Sequence, residues 1–282
     1  MKKIVSVQDI SCYGKCSLTV ALPIVSAMGI ETAIIPTAVL STHTQFSRFT
    51  FRDLTDEIEP ITAHWKEEKL HFDALYTGYL GSSRQISLMR DFFAEFGRDT
   101  LKFVDPAMGD GGKLYVGFTP AFAHEMATLC AVADVIVPNV TEAAFMLDEP
   151  YLDDGEYDEA YIQRLLRKLT GLGAKIAILT GVTFDGKKIG AYGYDSGSGA
   201  FFSYFNDRVP VKFHGTGDVF SSACVGALVR GLPLGDAIAL AADFTRESIV
   251  LTMADPDGAS WYGVNFEEAI PMLLDRLKKA NA

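Results

Sequence analysis

Short apolar runs alternate with amphipathic segments along most of this chain. Six runs have the length and apolar content of buried strands, at 3–8, 32–39, 74–78, 101–105, 134–139 and 175–181. Between them, apolar residues recur at mixed three- and four-residue spacing, which is typical of amphipathic helices, at 18–29, 83–97, 119–133 and 159–173. This alternation predicts an α/β fold with a mostly parallel central sheet, flanked by helices on both faces.

Residues 187–209 break the alternation. Two strand-like segments flank the turn sequence DSGSG, which predicts an antiparallel hairpin at an edge of the sheet. The sequence contains no internal repeat and no linker rich in proline or serine, so residues 1–282 are predicted to form a single domain.

Composition and charge narrow the class of protein. The chain has 282 residues, of which 49% are hydrophobic and 22% charged, as expected of a soluble globular protein with a sizeable core. Its net charge of −11 argues against binding to nucleic acids or anionic membranes, because both need many cationic contacts. The four cysteines complete neither a disulfide scaffold nor a zinc pattern, and the N-terminus does not read as a signal peptide. We therefore expect a cytoplasmic protein with reduced thiols.

Polar residues and glycines follow each predicted strand. They occur at 8–11, 41–44, 78–81, 105–110, 139–142 and 180–181. Loops need polar residues in any case, so a single segment of this kind indicates little. Six together favour a ligand site, because ligands of open parallel sheets bind at the carboxyl ends of the strands.

The segment HGTGDVFSS (214–222) carries the most specific chemistry. Gly215 and Gly217 allow close approach of the backbone, so N–H groups at the start of the following helix could converge on an anion. Asp218 would then act as a base beside a bound phosphate. In the simpler alternative, Asp218 only stabilises the first turn of the helix. The chain contains no P-loop and no dinucleotide-binding fingerprint, so any phosphate is bound in another way.

Taken in chain order, these segments resemble the pyridoxal kinases of the ribokinase-like superfamily. The matching segments are a serine at the end of the first strand, STHT (41–44), TGYLGS (77–82), VDPAMGD (104–110), VPNVTEA (137–143), LTG (179–181) and HGTGDVFSS (214–222). The resemblance implies a homodimeric, ATP-dependent kinase. Its acceptor would be the 5'-hydroxymethyl group of a vitamin B6 vitamer, which is pyridoxal, pyridoxamine or pyridoxine.

The resemblance also implies a role for each matching residue. Asp218 accepts the proton of the substrate hydroxyl, and the backbone of Gly215, Thr216 and Gly217 forms an anion hole. The residues implied around the pyridine ring of the acceptor are Ser11, His43 and Tyr79. Those implied at ATP are Asp105, Asp110, Asn139, Glu142 and Thr180, with Asp110 in a loop that closes over the nucleotide. Asp105 and Glu142 are also assigned to Mg²⁺ through water, and a monovalent cation such as K⁺ remains an open addition.

Some positions depart from the family pattern and leave the acceptor open. Lys15 and Cys16 replace smaller or neutral residues after the first strand, and Gln45 replaces a glycine after His43. Some members of the family use a cysteine near the acceptor aldehyde, and Cys12 or Cys16 could do so only if exposed and ionised; we expect both to be buried and inert. Two alternatives remain, a hydroxymethylpyrimidine kinase that uses the same Asp218 and a non-catalytic B6-binding relative.

Overall fold

The computed structural model describes residues 1–255 and 261–280. Contacts between Cα atoms divide the chain into two compact units. The first unit comprises Met1–Ala74 and Val209–Ala282, and the second comprises Leu75–Arg208. The predicted single domain of residues 1–282 stays a prediction.

The strands in the described part of the first unit are β1 (Lys3–Ser11), β2 (Glu31–Leu40) and β3 (Phe51–Asp53). β1 and β2 pair in parallel, from Lys3 opposite Glu31 to Ser11 opposite Leu40, and β3 pairs antiparallel to β2. The register of β1 and β2 shifts between Gln8 and Ile10. The predicted end of β1 at residue 8 is therefore wrong, because the strand continues past the irregularity and keeps its backbone pairing as far as Ser11.

The helices of the first unit are α1 (Leu18–Ala27), α2 (Thr55–Glu67), α7 (Thr216–Val229), α8 (Leu234–Ala254) and α9 (Phe266–Ala280). α7 packs against both α1 and α8. Its residues from 219 to 227 are all buried. This burial explains why the helix has no charged face, since a helix that is covered on every side needs none.

The second unit begins within β4 (Ala74–Thr77). Its other main strands are β5 (Leu101–Val104), β8 (Val135–Ile136), β9 (Ile176–Val182), β10 (Lys188–Asp195) and β11 (Ala200–Asp207). β5, β8 and β9 pair in parallel. β10 runs antiparallel to both β9 and β11. The predicted antiparallel hairpin is thus confirmed, with DSGSG as its turn.

Each helix of the second unit starts at a side-chain cap. The helices are α3 (Ser83–Phe96), α4 (Pro120–Cys130), α5 (Val140–Leu147) and α6 (Glu159–Gly171), and their caps are Ser82, Thr119, Asn139 and Asp158. A short ribbon of β6 (Gly109–Asp110) and β7 (Lys113–Leu114) precedes α4. Its two-residue turn consists of Gly111 and Gly112, whose φ angles of 58° and 74° favour glycine.

Candidate active site

The start of α7 combines an unusual backbone with an acid. Gly215 is the N-cap, with φ of 78°, and Asp218 is the third residue of the helix. Because the N-cap is a glycine, it has no side chain that could cap the helix. The first N–H groups of an α-helix have no acceptor within the helix, so this end presents donors and the positive end of the helix dipole.

The two glycines of this segment meet different surroundings. A Cβ atom on Gly215 would lie closer than 3.0 Å to the backbone carbonyl oxygen of Lys15, so the loop after β1 packs directly on the N-cap of α7. A Cβ atom on Gly217 would meet nothing within 4 Å, and this residue is exposed. Packing and φ therefore account for Gly215, whereas the fold leaves open space at Gly217.

The thiol of Cys16 lies within a group of acids and hydroxyls. Burial raises its pKa above the ordinary value, and the negative charges of Asp218 and Asp9 raise it further, while hydrogen bonds from Ser11 and Ser17 oppose them. The structure thus brings the predicted base Asp218 and the predicted acceptor residue Ser11 to one thiol. The raised pKa keeps Cys16 protonated, in agreement with the expectation of an inert buried thiol. Cys12, in contrast, is exposed, so the expectation that it is buried is wrong.

Asp9 was not singled out from the sequence, yet it lies at the centre of this group. Only 5% of its surface is exposed, and it accepts a hydrogen bond from the Oγ of Ser11 at 3.2 Å. Burial raises the pKa of Asp9, while hydrogen bonds from Ser17 and Ser11 lower it. A polar residue inside a strand pattern gave no signal of its own, because alternation also places such residues at solvent-facing positions.

His43 is buried, and both of its ring nitrogens have hydrogen-bonding partners. Its Nδ1 accepts from the backbone N–H of Gln45 at 3.3 Å, so the proton is on Nε2, which lies 3.0 Å from the carbonyl oxygen of Tyr262. Burial lowers the pKa of His43. The ring of His214 lies 4.4 Å from that of His43, and burial lowers the pKa of His214 to about 4. Both imidazoles are therefore neutral at neutral pH.

Aromatic rings extend from His43 towards the surface. Phe46 lies 4.8 Å from the His43 ring and 4.5 Å from that of Trp261. Tyr13 lies 5.0 Å from Tyr262, and about half of the surface of both Tyr13 and Trp261 is exposed. The sequence did not indicate that Trp261 packs against Phe46, or that Tyr262 packs against Tyr13.

Lys15 points away from the acids near Cys16. Its Nζ donates to Asn265 Oδ1 at 2.9 Å and to Glu267 Oε2 at 2.8 Å, and its backbone N–H donates to the carbonyl oxygen of Tyr262. Its charge is therefore neutralised on the segment that leads into α9. Lys15, which departs from the family pattern, therefore connects the loop after β1 to residues 262–267, and it adds no cation to the acids near Cys16.

In the second unit, Glu142 forms a capping box at the start of α5. Its backbone N–H donates to Asn139 Oδ1 at 2.9 Å, and its Oε2 accepts from the backbone N–H of Asn139 at 2.8 Å. Its Oε1 accepts from Met108 N–H at 3.0 Å, so this side chain also fixes the loop after β5. The implied role of Glu142 at Mg²⁺ stays a prediction alongside this structural one.

Asp105 and Glu142 influence each other through their charges. Burial raises the pKa of Glu142 well above its ordinary value, and the negative charge of Asp105 raises it further. A divalent cation near the two carboxyl groups would remove this repulsion. Within residues 1–255 and 261–280, no three His, Cys, Asp or Glu side chains form a metal cage. Two carboxylates suffice for Mg²⁺, however, because this ion keeps several waters and takes phosphate oxygens as ligands. The pair therefore fits the ion.

Asn139 and Asp110 belong to the same local structure. The side-chain amide of Asn139 donates to the carbonyl oxygen of Gly109 at 2.8 Å, and the N–H of Gly112 donates to Thr141 Oγ1 at 3.0 Å. These bonds fasten the β6–β7 ribbon to the start of α5. Asp110, which is exposed, lies at the tip of this ribbon.

Thr180 and Tyr79 complete the predicted residues of the second unit. Thr180 lies in β9, where its N–H donates to the carbonyl oxygen of Pro138, one residue before Asn139. Thr180 and Asn139 also form a parallel bridge. The ring of Tyr79 packs on that of Phe118, with 5.6 Å between the ring centres. The structure thus groups Asp105, Asn139, Glu142 and Thr180, and places Asp218, Ser11 and His43 in the first unit.

Comparison with known proteins gives the class of protein. The family described as phosphomethylpyrimidine kinase matches residues 22–259, which is most of the chain. The chain belongs to this family of kinases, and the resemblance to pyridoxal kinases of the ribokinase-like superfamily is confirmed.

The individual relatives include both pyridoxal kinases and hydroxymethylpyrimidine or phosphomethylpyrimidine kinases. A protein from Bacteroides thetaiotaomicron VPI-5482, assigned as a phosphomethylpyrimidine kinase and solved with pyridoxal, is 39% identical; the match covers 96% of this chain and 95% of that one, with a TM-score of 0.91. Pyridoxal kinase from Lactobacillus plantarum is 31% identical over 98% of this chain and 97% of that one, with a TM-score of 0.90. The hydroxymethylpyrimidine/phosphomethylpyrimidine kinase of Haemophilus influenzae is 29% identical over 61% of this chain, and the match spans just 63% of that protein.

These matches confirm the α/β prediction, with its mostly parallel sheet, over nearly the whole chain. They also identify the protein as a phosphotransferase of the pyridoxal and hydroxymethylpyrimidine kinase group. In the described part of the chain, no helix has the length and apolar character needed to cross a membrane.

Proposed function

We propose that this protein transfers the γ-phosphoryl group of ATP to the 5'-hydroxymethyl group of a vitamin B6 vitamer, with Asp218 as the general base. The observation that carries the proposal is the group of side chains around Cys16. The charges of Asp218 and Asp9 both act on this thiol, and Ser11 is hydrogen-bonded to it and to Asp9. A base candidate and a polar surface for a heterocycle thus belong to one cluster.

The chemistry assigned to the first unit is proton removal and charge stabilisation. Asp218 accepts the proton of the acceptor hydroxyl as the oxygen attacks phosphorus. The N–H groups at the start of α7 donate to the oxygens of the transferring phosphoryl group, where negative charge is spread in the transition state. The start of α7 suits this task because its N-cap, Gly215, has no side chain to occupy the N–H groups.

The second unit is assigned to the phosphoryl donor. Asp105 and Glu142 would hold Mg²⁺, Glu142 through water because its oxygens already accept backbone N–H groups. The ion would neutralise charge on the phosphates when bound. Asn139 and Thr180 would bind the nucleotide phosphates, and the exposed Asp110 would approach the nucleotide from the β6–β7 ribbon. Cytoplasmic location and a homodimer remain part of this proposal.

A second candidate, a hydroxymethylpyrimidine kinase, is favoured by the family match and by the Haemophilus influenzae relative. It would use the same base and the same donor residues with another heterocycle. Two of the solved relatives favour the B6 vitamers: the Bacteroides protein, although assigned as a phosphomethylpyrimidine kinase, was determined with pyridoxal, and the Lactobacillus plantarum protein is a pyridoxal kinase.

An assay of mixed acceptors separates the two functions. The protein is incubated with Mg-ATP and equal amounts of pyridoxal, pyridoxamine, pyridoxine and hydroxymethylpyrimidine, and the phosphorylated products are identified by mass spectrometry. We expect a B6 phosphate to dominate. A pyrimidine phosphate alone would move the function to the second candidate, and no product from any acceptor would favour a binding protein.

The role of Asp218 has a closely matched control in the same unit. Asp236 is also the third residue of a helix, α8, and it is exposed. Asp218→Asn and Asp236→Asn should weaken their helix starts to a similar extent, by about 0.3–1 kcal/mol. Only Asp218→Asn should lower kcat, by roughly 100-fold or more, the scale for loss of a general base. An Asp218→Asn enzyme as active as Asp236→Asn would reduce Asp218 to a helix-stabilising residue.

A further inference from the structure

Asp9 is a buried acid that the proposed phosphoryl transfer does not use. It lies at the irregularity between β1 and β2, where Gln8 faces Pro36 and Ile10 faces Val39, so two residues of β2 lie opposite Asp9 alone. Irregularities of this kind turn a side chain away from the regular alternation of a strand, and they are common next to functional sites. Asp9 is nevertheless 95% buried, since only 5% of its surface is exposed.

Two hydroxyl groups hold the Asp9 carboxyl in place. Ser11 Oγ donates to Asp9 Oδ2 at 3.2 Å, and the hydroxyl of Ser17 forms a second hydrogen bond. Ser17 has φ of 51° and ψ of −131°, a backbone conformation that is strained for a residue with a side chain. Strain of this kind costs on the order of 1–3 kcal/mol and persists where the surroundings impose it, often at functional sites.

Among the described residues of the first unit, no lysine or arginine forms an ion pair with Asp9. Lys15, which follows β1 in the chain, is bound to Asn265 and Glu267. His43, a basic group that acts on Asp9, is held neutral by its two hydrogen bonds and by burial. Asp218 adds a second negative charge to the same cluster. Such a buried acid is strongly unfavourable unless it binds a proton or meets a cation.

From this geometry we propose that Asp9 recognises the acceptor, by sharing one proton with a basic ring nitrogen of the heterocycle. The pair is either a carboxylate with a protonated nitrogen or a carboxyl group with a neutral nitrogen, and in both forms its net charge is zero. This inference rests on the proposed kinase function and adds a residue that selects the acceptor. The raised pKa of Asp9 is consistent with it, since an acid and a pyridine of similar basicity share a proton well.

The pairing also gives a physical basis for preferring one acceptor. The nitrogen of a hydroxypyridine is a strong enough base to hold the shared proton. Each nitrogen of a pyrimidine is weakened by the other one, which withdraws electron density. Asp9 should therefore favour B6 vitamers over hydroxymethylpyrimidine, while an acceptor without a ring nitrogen should gain nothing from Asp9.

The test combines a change in the protein with a change in the acceptor. Wild type and Asp9→Asn are assayed with pyridoxine and with its benzene analogue, in which the ring nitrogen is replaced by C–H. We expect Asp9→Asn to lower kcat/KM for pyridoxine by about 10- to 100-fold, the scale of a hydrogen bond to a charged group. The loss should appear mainly in KM, and kcat/KM for the benzene analogue should change less than threefold.

Controls separate recognition from damage to the fold. Glu31→Gln removes an exposed acid at the first residue of β2, at the opposite end of the same strand pair, and should leave both acceptors unaffected. Asp9→Ser, which keeps a hydroxyl partner for Ser11, is the second variant if Asp9→Asn does not fold. The ring ¹⁵N chemical shift of labelled pyridoxine, measured by NMR, should indicate a protonated nitrogen in the complex with wild type and an unprotonated one in the complex with Asp9→Asn.

Two results would overturn the inference. Equal losses for pyridoxine and the benzene analogue would make Asp9 a purely structural residue, and so would a wild type that uses both acceptors equally well. Either result leaves the kinase function intact, because pyridoxine is still phosphorylated. If wild type phosphorylates no B6 vitamer, the proposed function itself fails, and this is seen before any variant is made.

Discussion

Alanine substitution at the two glycines before Asp218 tests whether this segment binds an anion or only starts a helix. Gly215 and Gly217 are two residues apart, but their Cβ positions differ. At Gly215 a Cβ atom would collide with the carbonyl oxygen of Lys15, and φ is 78°; at Gly217 a Cβ atom would meet nothing within 4 Å. The two substitutions should therefore change the free energy of unfolding in opposite directions.

The magnitudes follow from these surroundings. Gly215→Ala places a side chain in a left-handed conformation, at about 1–2 kcal/mol, and forces the loop after β1 to move, at roughly 1–3 kcal/mol more. The melting temperature should fall by roughly 4–20 °C, taking about 2–4 °C for each kcal/mol in a chain of this size. Gly217→Ala restricts only the unfolded chain, so it should stabilise the protein by about 0.4–1 kcal/mol.

Activity should separate the two roles of this segment. A methyl group on Gly217 projects into the space where the proposal places the phosphoryl group. We therefore expect Gly217→Ala to lower kcat by about 100-fold, as loss of one oxyanion donor does, in a protein that is at least as stable as wild type. Thermal unfolding followed by circular dichroism gives the stability, and ADP production with the preferred acceptor gives the rate.

Clear results would refute this reasoning. A Gly217→Ala enzyme with kcat within twofold of wild type would mean that no ligand approaches the backbone at this residue. A Gly215→Ala protein with an unchanged melting temperature would mean that the packing of the Lys15 carbonyl against α7 contributes little. Loss of activity together with loss of stability in Gly217→Ala would remove the contrast on which the interpretation depends.

Three further predictions concern single side chains. Asn139→Ala should destabilise the protein more than Asp158→Ala, by calorimetry, because both lose a helix cap of about 1 kcal/mol but Asn139 also donates to the Gly109 carbonyl; equal losses would show that this bond adds nothing. His214→Gln should flatten the pH dependence of stability. The pKa of His214 is lowered from 6.5 to about 4 in the folded protein, so the unfolded chain takes up a proton first and the free energy of unfolding falls as pH drops from 6.5 to 4. Chemical denaturation across this pH range measures the effect, and an unchanged slope in the variant would contradict it. Tyr79→Ala should raise KM for the acceptor and leave KM for ATP within about twofold in steady-state kinetics, since the resemblance assigns its ring to the heterocycle; an equal rise for both would place Tyr79 outside the acceptor site.

The sequence predicted the strands and helices whose patterns are strongest. The helices at 83–97 and 159–173 and the hairpin at 187–209 agree with α3, α6 and the β10–β11 pair. Their boundaries were readable because apolar spacing and turn residues are local signals. α2, α5, α8 and α9 were not identified. An internal proline does not account for these misses, because α1 was predicted although it contains Pro23.

For the candidate site, too, the sequence predicted some features and left others untested. The alternation of apolar runs and amphipathic segments was enough to predict the α/β fold, and the order of the short motifs was enough to indicate the kinase family. The assigned roles of Asp218, His43 and the other site residues remain predictions, since the matches establish the fold and the family but not the chemistry of each side chain.

What the sequence alone determined is therefore local: the alternation of elements, the edge hairpin and the glycines before Asp218. Only the tertiary structure decided which distant residues meet. It placed Asp9 and Asp218 near Cys16 and His214 beside His43. It also packed the carbonyl oxygen of Lys15 so close to Gly215 that a side chain there would collide with it. Burial and charge are properties of these long-range contacts. In the sequence, Asp9 is an ordinary polar residue of β1. It becomes a buried acid in the same cluster as a second acid, Asp218, only once the strands, loops and α7 have packed around it.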